Sequence, residues 1–227
     1  MCNGHHLNRR AVVYGLGAVL LTPRMGFSDT KDVDVLGGRI RIDGQTAPVA
    51  ASAIKAQKFT LTTANQGGVI KAKDQIFYLD PETEAEFFRD DDGLVGNIVL
   101  KAGGVLSLFG PSSGQGVEIT TFNAVGAIRG TTTYFAWQSA ERRTYVCCCY
   151  GGVDVSNNRG GGQALNTRYH TAIILPEDGG VAGAPYDKPL HHYDDDIIAL
   201  EAKAGRQPRW QLPNGQLNFF APQPVPL

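Results

Sequence analysis

The sequence predicts an all-β domain, either a sandwich or a solenoid-like fold, with one short helix near its C-terminal end. Apolar, strand-sized runs recur about every 8–12 residues from Ile40 to Val155, which is the spacing of many all-β domains. The chain contains 28 glycines and 12 prolines, which are frequent in the turns between short strands. The densest β-forming stretch, residues 117–152, is rich in Thr, Val, Tyr and Phe and predicts two or three neighbouring strands.

Residues 1–28 are predicted to be a secretory signal peptide. Arginines at positions 9–10 precede the uncharged apolar run of residues 11–21, which is too short to cross a bilayer of about 30 Å as a helix. The small residues Gly26 and Ser28 suit cleavage after Ser28, and the arginine pair resembles a twin-arginine signal. The alternative is a buried N-terminal strand or helix. We expect a periplasmic or otherwise exported protein with no membrane span after signal removal.

Residues 29–178 are predicted to form the β domain. Ile40 and Ile42 alternate with charged residues, as in a strand with one buried face. The turns are predicted at residues that favour them, including the Asn65-Gln-Gly-Gly and Gly103-Gly104 runs. Outside the stretch 117–152, strands are predicted at residues 33–36, 39–43, 59–63, 68–71, 75–79, 84–89, 94–100, 104–109 and 167–175.

Residues 179–227 are predicted to form a linker, a short helix and a proline-rich tail. The helix is expected over residues 194–204, where apolar side chains fall on one face and Gly205 follows the last turn. Asp194 or Asp195 is expected to cap its first turn.

Charge and motif content exclude several classes of function. The 21 basic and 22 acidic residues leave no basic excess, which argues against a nucleic-acid partner. The sequence has no G-x-S-x-G nucleophile elbow, no H-E-x-x-H zinc motif and no phosphate-binding glycine loop before a helix. We therefore expect a protein that is not an enzyme.

Three consecutive cysteines occupy positions 147–149. Adjacent cysteines do not meet the Cα separation and Cβ direction of a disulfide without strain, so they do not read as a disulfide framework. On a strand, Cys147 and Cys149 point to one face and Cys148 points to the other.

The two thiols on a shared face form a candidate metal site with histidines later in the chain. These are His170, in a predicted strand, and His191 or His192, before the predicted helix. Thiolates and imidazoles at such a site bind zinc, iron or copper. Two alternatives stay open: a thiol-redox role for the cysteine pair, or burial of the thiols as small apolar residues.

The stretch TFNAVGAIRGT, residues 121–131, resembles the hallmark TP-x-A-x-x-G-[VI]-RGT of the FecR-type domain. Phe122 and Ala127 stand where the family has proline and glycine. The TYVCCCYG of residues 144–151 is similar to a TYVC-x-CYG element found in one subgroup of the family. Residues 191–210 also resemble the C-terminal end of that subgroup. The matching motif residues are Thr121, Ala124, Ile128, Arg129, Gly130 and Thr131.

The resemblance, over roughly residues 35–210, implies a stand-alone exported sensing or interaction module. Regulator-type members of the family couple an outer-membrane iron-siderophore receptor to transcription, so the resemblance also implies a link to iron-uptake signalling. Its expected partner is another envelope protein. The alternatives are a metal-binding or thiol-redox periplasmic protein and a structural envelope protein.

Arg129 lies between an apolar residue and a glycine within a predicted strand pair. Such an arginine is expected to be partly buried and to donate its N–H groups to backbone carbonyls or a carboxylate. Arg129 is thus interpreted as a fold-specifying residue rather than a ligand contact. On this interpretation, its replacement by alanine costs a few kcal/mol.

Overall fold

A computed structural model describes residues 33–46, 53–110, 116–183, 189–208 and 210. These residues form an all-β fold with one short helix near its C-terminal end, as predicted. The strands are β1 (Val33–Ile42), β2 (Gln45–Thr46), β3 (Ala53–Ile54), β4 (Lys58–Ala72), β5 (Gln75–Leu79), β6 (Glu84–Arg89), β7 (Val95–Leu108), β8 (Val117–Thr120), β9 (Ala124–Gln138), β10 (Arg143–Asn157), β11 (Gly162–Thr167), β12 (Thr171–Pro176) and β13 (Ala182–Gly183), and the helix is α1 (Asp194–Lys203).

The 13 strands belong to one continuous sheet. Its main path runs β13-β12-β10-β9-β8-β7-β5-β4-β1-β2, while β3, β6 and β11 pair alongside. Paired strands are antiparallel except for β7 and β8, which are parallel. This pattern differs from a solenoid of stacked parallel strands. Because strands from β1 to β12 bury one shared cluster on the same face, the sheet curls around that cluster.

Two of the predicted turns lie inside long strands, and their prediction was wrong. The Asn65-Gln-Gly-Gly run is part of β4, and Gly103-Gly104 is part of β7. Gly38 of β1 has φ +84°, and a Cβ there would lie 2.1 Å from the carbonyl oxygen of Gly67. The pairing of β1 with β4 also shifts register next to Gly38. Here glycine permits bulges and close backbone contact rather than chain reversal.

The two faces of the sheet bury two separate clusters. The inner cluster is the larger one and includes Phe77, Phe87 and Phe135, which have no exposed surface. The outer cluster lies on the opposite face and is covered by α1 through Ile197 and Leu200. Sheet residues of the outer cluster are Ile76, Leu106, Leu108, Tyr134, Ala136, Tyr145, Cys147, Cys149, Tyr150 and Ala172.

The predicted helix is present, but its predicted caps were wrong. The N-cap is Tyr193, whose backbone N–H donates to Asp196 Oδ2 at 2.9 Å. Asp195 is exposed, and Asp194 faces the sheet, where it accepts a hydrogen bond from His170. The carboxylate of Asp194 is thus held by a long-range contact that local capping rules do not contain.

The predicted signal peptide, residues 1–28, and the tail beyond residue 210 lie outside the described residues. Within the ranges that the structure does describe, no helix combines the length and the apolar character needed to cross a membrane.

Candidate metal centre

Four buried side chains from three parts of the chain meet on the outer face of the sheet. Cys147 and Cys149 come from β10, His170 from the connection between β11 and β12, and His192 from the residues before α1. One potential ligand atom of each lies within 4.8 Å of the others. None of the four residues is more than 3% exposed. We call them the Cys2His2 cluster.

Strand β10 directs two of its three consecutive thiols towards the cluster. Cys148 packs in the inner cluster, whereas Cys147 and Cys149 lie on the outer face, so the predicted alternation is confirmed. The pairing of β10 with β9 shifts register between Cys148 and Tyr150. The extra residue in this bulge places Cys149 and Tyr150 on the same face.

His170 is held in place by its backbone and by a carboxylate. The backbone N–H of His170 donates to the backbone carbonyl oxygen of Cys149 at 2.9 Å. Its ring Nε2–H donates to Asp194 Oδ1 at 3.1 Å, and the Tyr169 hydroxyl donates to Asp194 Oδ2 at 2.8 Å. The ring Nδ1 then faces Cys147 Sγ at 3.4 Å. A carboxylate behind an imidazole is the usual support of a metal-binding histidine.

His192 is oriented by a backbone carbonyl. Its Nδ1–H donates to the carbonyl oxygen of Leu190 at 2.6 Å, and its ring stacks on Tyr134 with the centroids 4.6 Å apart. Its Nε2 is buried and makes no hydrogen bond of ordinary geometry with any described residue. A buried polar atom left in this state costs about 1–3 kcal/mol. A metal ion among the thiols would give this nitrogen a partner.

The four residues of the cluster influence one another's pKa values. Burial favours the neutral Cys147 thiol, but the Cys149 thiol and both imidazoles together hold the pKa of Cys147 well below its usual value. Burial and the neighbouring Cys147 raise the pKa of Cys149 well above its usual value. Burial disfavours charge on His170, yet its bonds to Asp194 and Cys147 raise its pKa to about 9. The neighbours of Cys147 thus lower its pKa, whereas those of His170 raise the pKa of the imidazole.

Two thiols and two imidazoles match the donor set of a closed tetrahedral zinc site. With Zn–S near 2.3 Å and Zn–N near 2.0–2.1 Å, the edges of such a tetrahedron measure about 3.3–3.8 Å. Cys147 Sγ and His170 Nδ1 are already 3.4 Å apart, and the whole set lies within 4.8 Å. These residues therefore fit one small metal ion with minor side-chain movement.

One predicted ligand, His191, lies outside the cluster. Its side chain is 63% exposed, and its Nδ1 is 3.8 Å from the carboxylate of Asp80. Of the histidine pair before the helix, the structure brings only His192 to the thiols. The positive φ of His191, 54°, marks a backbone bend that sends adjacent side chains in different directions.

His170 is not in a strand, contrary to its prediction within residues 167–175. It lies after the end of β11. There the Thr167 hydroxyl donates to the carbonyl oxygen of Tyr169 at 2.8 Å and accepts the backbone N–H of Tyr169 at 3.1 Å. This side-chain turn ends the strand. The strand prediction missed it because threonine is itself frequent in strands and the apolar run Ala172–Leu175 follows closely.

Sequence reasoning also missed the residues that support the two histidines. Asp194 was interpreted as a helix cap, and the roles of Tyr134 and the Leu190 carbonyl had no local signature. The His-x-Asp spacing of His192 and Asp194 was a signal in the sequence, although Asp194 in fact supports His170.

The residues that resemble the FecR-type motif lie just before β9 and in its first half. The buried Thr121 hydroxyl accepts the N–H of Ala124 at 3.1 Å. Ala124 and Ile128 are buried in the inner cluster. Gly130 and Thr131 continue the same strand. These contacts give the motif a structural role in this chain.

Arg129 is exposed, so the prediction of a partly buried arginine was wrong. Its guanidinium lies 2.8 Å from Asp154 Oδ2, with 77% and 49% of the two side chains exposed. Ile128 faces the inner cluster, and the alternation of a strand therefore turns Arg129 outwards. There it lines an open groove of about 760 Å³ together with residues of β10 and β11 and with Arg168.

Comparisons with known proteins add two distant likenesses. No protein-family model and no curated protein matches the chain. Two crystal structures from Parabacteroides distasonis ATCC 8503, both provisionally named anti-sigma factors, are similar to it at 12% identity. One has a TM-score of 0.48, covering 58% of this chain and 62% of its own. The other has a TM-score of 0.47, covering 62% and 71%.

This chain thus spans 62% of the length of the first of these two structures. Both TM-scores are below 0.5. The FecR-type resemblance stays a prediction.

Proposed function

We propose that this protein is a non-enzymatic metal-binding protein whose Cys2His2 cluster holds a single zinc ion. The observation that carries the proposal is the convergence of four buried ligand atoms within 4.8 Å. Both imidazoles are oriented from behind, one by Asp194 and one by the Leu190 carbonyl, as metal-binding histidines usually are.

The donor set supports zinc over the iron and copper that the sequence also allowed. A tetrahedral set of two sulfurs and two nitrogens is typical of zinc, whereas blue-copper sites use one thiolate, two imidazoles and a weak axial ligand. Four protein ligands leave no position for a substrate or a catalytic water. The site therefore supports a structural or sensing role rather than catalysis.

The two alternatives explain the cluster less well. If the thiols served only as apolar filling, the buried Nε2 of His192 would stay without a partner. A thiol-redox role requires access for an attacking thiol or oxidant, and Cys147 and Cys149 are at most 1% exposed.

Metal analysis of the purified, reduced protein tests the proposal. After incubation with zinc and gel filtration, we expect one zinc per chain and no comparable retention of iron or copper. The cobalt-loaded protein is expected to show the absorption of tetrahedral cobalt with thiolate ligands. Substoichiometric metal in every preparation would contradict the proposal and favour apolar filling.

The sensing or interaction role implied by the FecR-type resemblance is our second candidate, and the exposure of Arg129 favours it. An exposed guanidinium beside an open groove is available to an acidic ligand or to another envelope protein. On this proposal the protein acts outside the cytoplasm, and its link to iron-uptake signalling is the finer part of the same hypothesis.

Replacing Arg129 with alanine is expected to lower the free energy of unfolding by no more than about 1 kcal/mol, because its ion pair with Asp154 is exposed. Urea denaturation measures this change. A cross-linking comparison in the periplasmic fraction then checks whether the stable variant loses a partner that the unmodified protein captures. A loss of several kcal/mol would restore the fold-specifying interpretation of this arginine.

A further inference from the structure

The outer face of the sheet is covered by a short piece of chain that also supplies one metal ligand. We call residues 189–208 the C-terminal segment; it contains His192 and α1. We propose that metal binding at the Cys2His2 cluster controls the docking of the C-terminal segment on the sheet, so that loss of the metal releases it. This inference rests on the metal site proposed above.

The cluster joins the C-terminal segment to the sheet at one point. Cys147, Cys149 and His170 belong to the sheet and its connections, whereas His192 belongs to the segment. A metal ion held by all four residues would therefore bridge two parts of the fold. Because free energies of linked events are reciprocal, docking strengthens metal binding by the same factor by which metal strengthens docking.

Without metal, docking leaves one nitrogen of His192 without a hydrogen bond to the described part of the chain. The docked position buries His192 Nε2 away from any hydrogen-bond partner among the described residues. In the released position, water would satisfy His192 Nε2. A bound metal would thus give this nitrogen a partner and tie the segment to the sheet at the same point.

The segment has three other kinds of attachment, the first being Asp194, which accepts hydrogen bonds from the Tyr169 hydroxyl and the His170 ring. Two apolar side chains of α1, Ile197 and Leu200, are buried in the outer cluster. Glu201 accepts hydrogen bonds from the hydroxyl of Tyr150 and from Arg206, whose guanidinium also donates to the carbonyl of Asp74 at 2.8 Å. A helix of 10 residues is too short to be stable by itself in water, so it depends on this docking.

Release would uncover an apolar, tyrosine-rich surface and leave the rest of the fold in place. Ile197 and Leu200 of the segment share the outer cluster with Leu106, Leu108 and Tyr134, and the Tyr134 ring stacks on His192. The inner cluster is formed by strands, with no residue of α1 among its members. Loss of the metal would therefore expose the outer-cluster residues. A partner protein could recognise such a newly exposed surface, as expected for a sensing module.

Hydrogen–deuterium exchange of the full reduced chain, with zinc or with a chelator, tests the inference. We expect chelation to speed exchange roughly tenfold or more in peptides from the C-terminal segment. Peptides from β6 and β8, whose buried apolar residues belong to the inner cluster, are expected to change far less.

Two variants of adjacent histidines provide the matched comparison. His192→Ala is expected to show fast exchange in the segment even with zinc, whereas His191→Ala, at an exposed position outside the cluster, is expected to match the unmodified protein. If His192→Ala does not fold, the chelator titration of the unmodified chain decides alone.

The outcomes separate this inference from the proposed function. Bound zinc with unchanged exchange in the segment would overturn the inference and leave the metal site standing. Bound zinc with equal protection of all strands would overturn it as well, since the metal would then stabilise the whole fold. Failure to bind zinc would overturn both proposals.

Discussion

Replacing Cys147 with alanine is expected to eliminate the thermal stabilisation that zinc gives to the reduced protein. Binding at a ligand concentration about 1,000-fold above the Kd adds about 4 kcal/mol, which raises the Tm of a chain of this size by about 10 °C. The variant keeps three of the four donors but loses the thiol that lies 3.4 Å from His170 Nδ1. Differential scanning calorimetry with zinc and with a chelator measures the difference.

Cys148→Ala is the matched control for this experiment. Cys148 is adjacent and equally buried, but it packs in the inner cluster on the opposite face of β10. Its replacement is expected to lower the Tm by lost packing while preserving the full zinc-dependent increase. A zinc-dependent increase that survives Cys147→Ala would contradict the assignment of Cys147 as a ligand.

Replacing Glu201 with alanine is expected to reduce the free energy of unfolding by about 3 kcal/mol. The carboxylate is 2% exposed, accepts from the Tyr150 hydroxyl and lies 2.7 Å from Arg206 Nε. Its removal leaves a buried hydroxyl and a largely covered guanidinium without their anion, and breaking such a pair typically costs 3–5 kcal/mol. The lower end of that range applies because 22% of the Arg206 side chain is exposed. Urea denaturation at constant zinc measures the loss.

Asp195→Ala is the control within the same helix. Asp195 is also an acidic residue of α1, but it is exposed and lies in the first turn. Its removal is expected to change the free energy of unfolding by less than about 1 kcal/mol, the value of a first-turn charge at a helix N-terminus. Equal effects of the two substitutions would show that Glu201 acts only through general helix charge.

The strands were largely predictable because burial on one face leaves a period of two in the sequence. β5 and β6 have the predicted boundaries, and the predicted helix begins at Asp194 as expected. The errors concern glycines such as Gly38 and Gly103. A local pattern does not distinguish a glycine that reverses the chain from one that lets a long strand bend against its neighbour.

The candidate site was also predictable only in part. Alternation along β10 was enough to place Cys147 and Cys149 together. The choice between His191 and His192 was open in the sequence, because two adjacent residues differ only in the direction that the backbone gives them. In the structure, His192 is the one that lies beside the thiols. Asp194, from the first turn of α1, accepts a hydrogen bond from His170.

The exposure of Arg129 could not be predicted from the residues next to it in the sequence. Its neighbours in the sequence indicated an arginine held inside a strand pair, but exposure depends on which face of β9 is covered. Ile128 occupies the covered face, so Arg129 lies in solvent beside Asp154. A motif that is structural at Thr121 and Ala124 therefore presents its arginine to the outside.

The sequence by itself determined the all-β class, the C-terminal helix and the shared face of two thiols, because these follow from the spacing and period of residues close together in the chain. Only the tertiary structure decided that His170 and His192 meet those thiols, because they lie 21–45 residues further along the chain. The sheet and the docked helix bring these distant segments together, and contacts of that range leave no pattern in the local sequence.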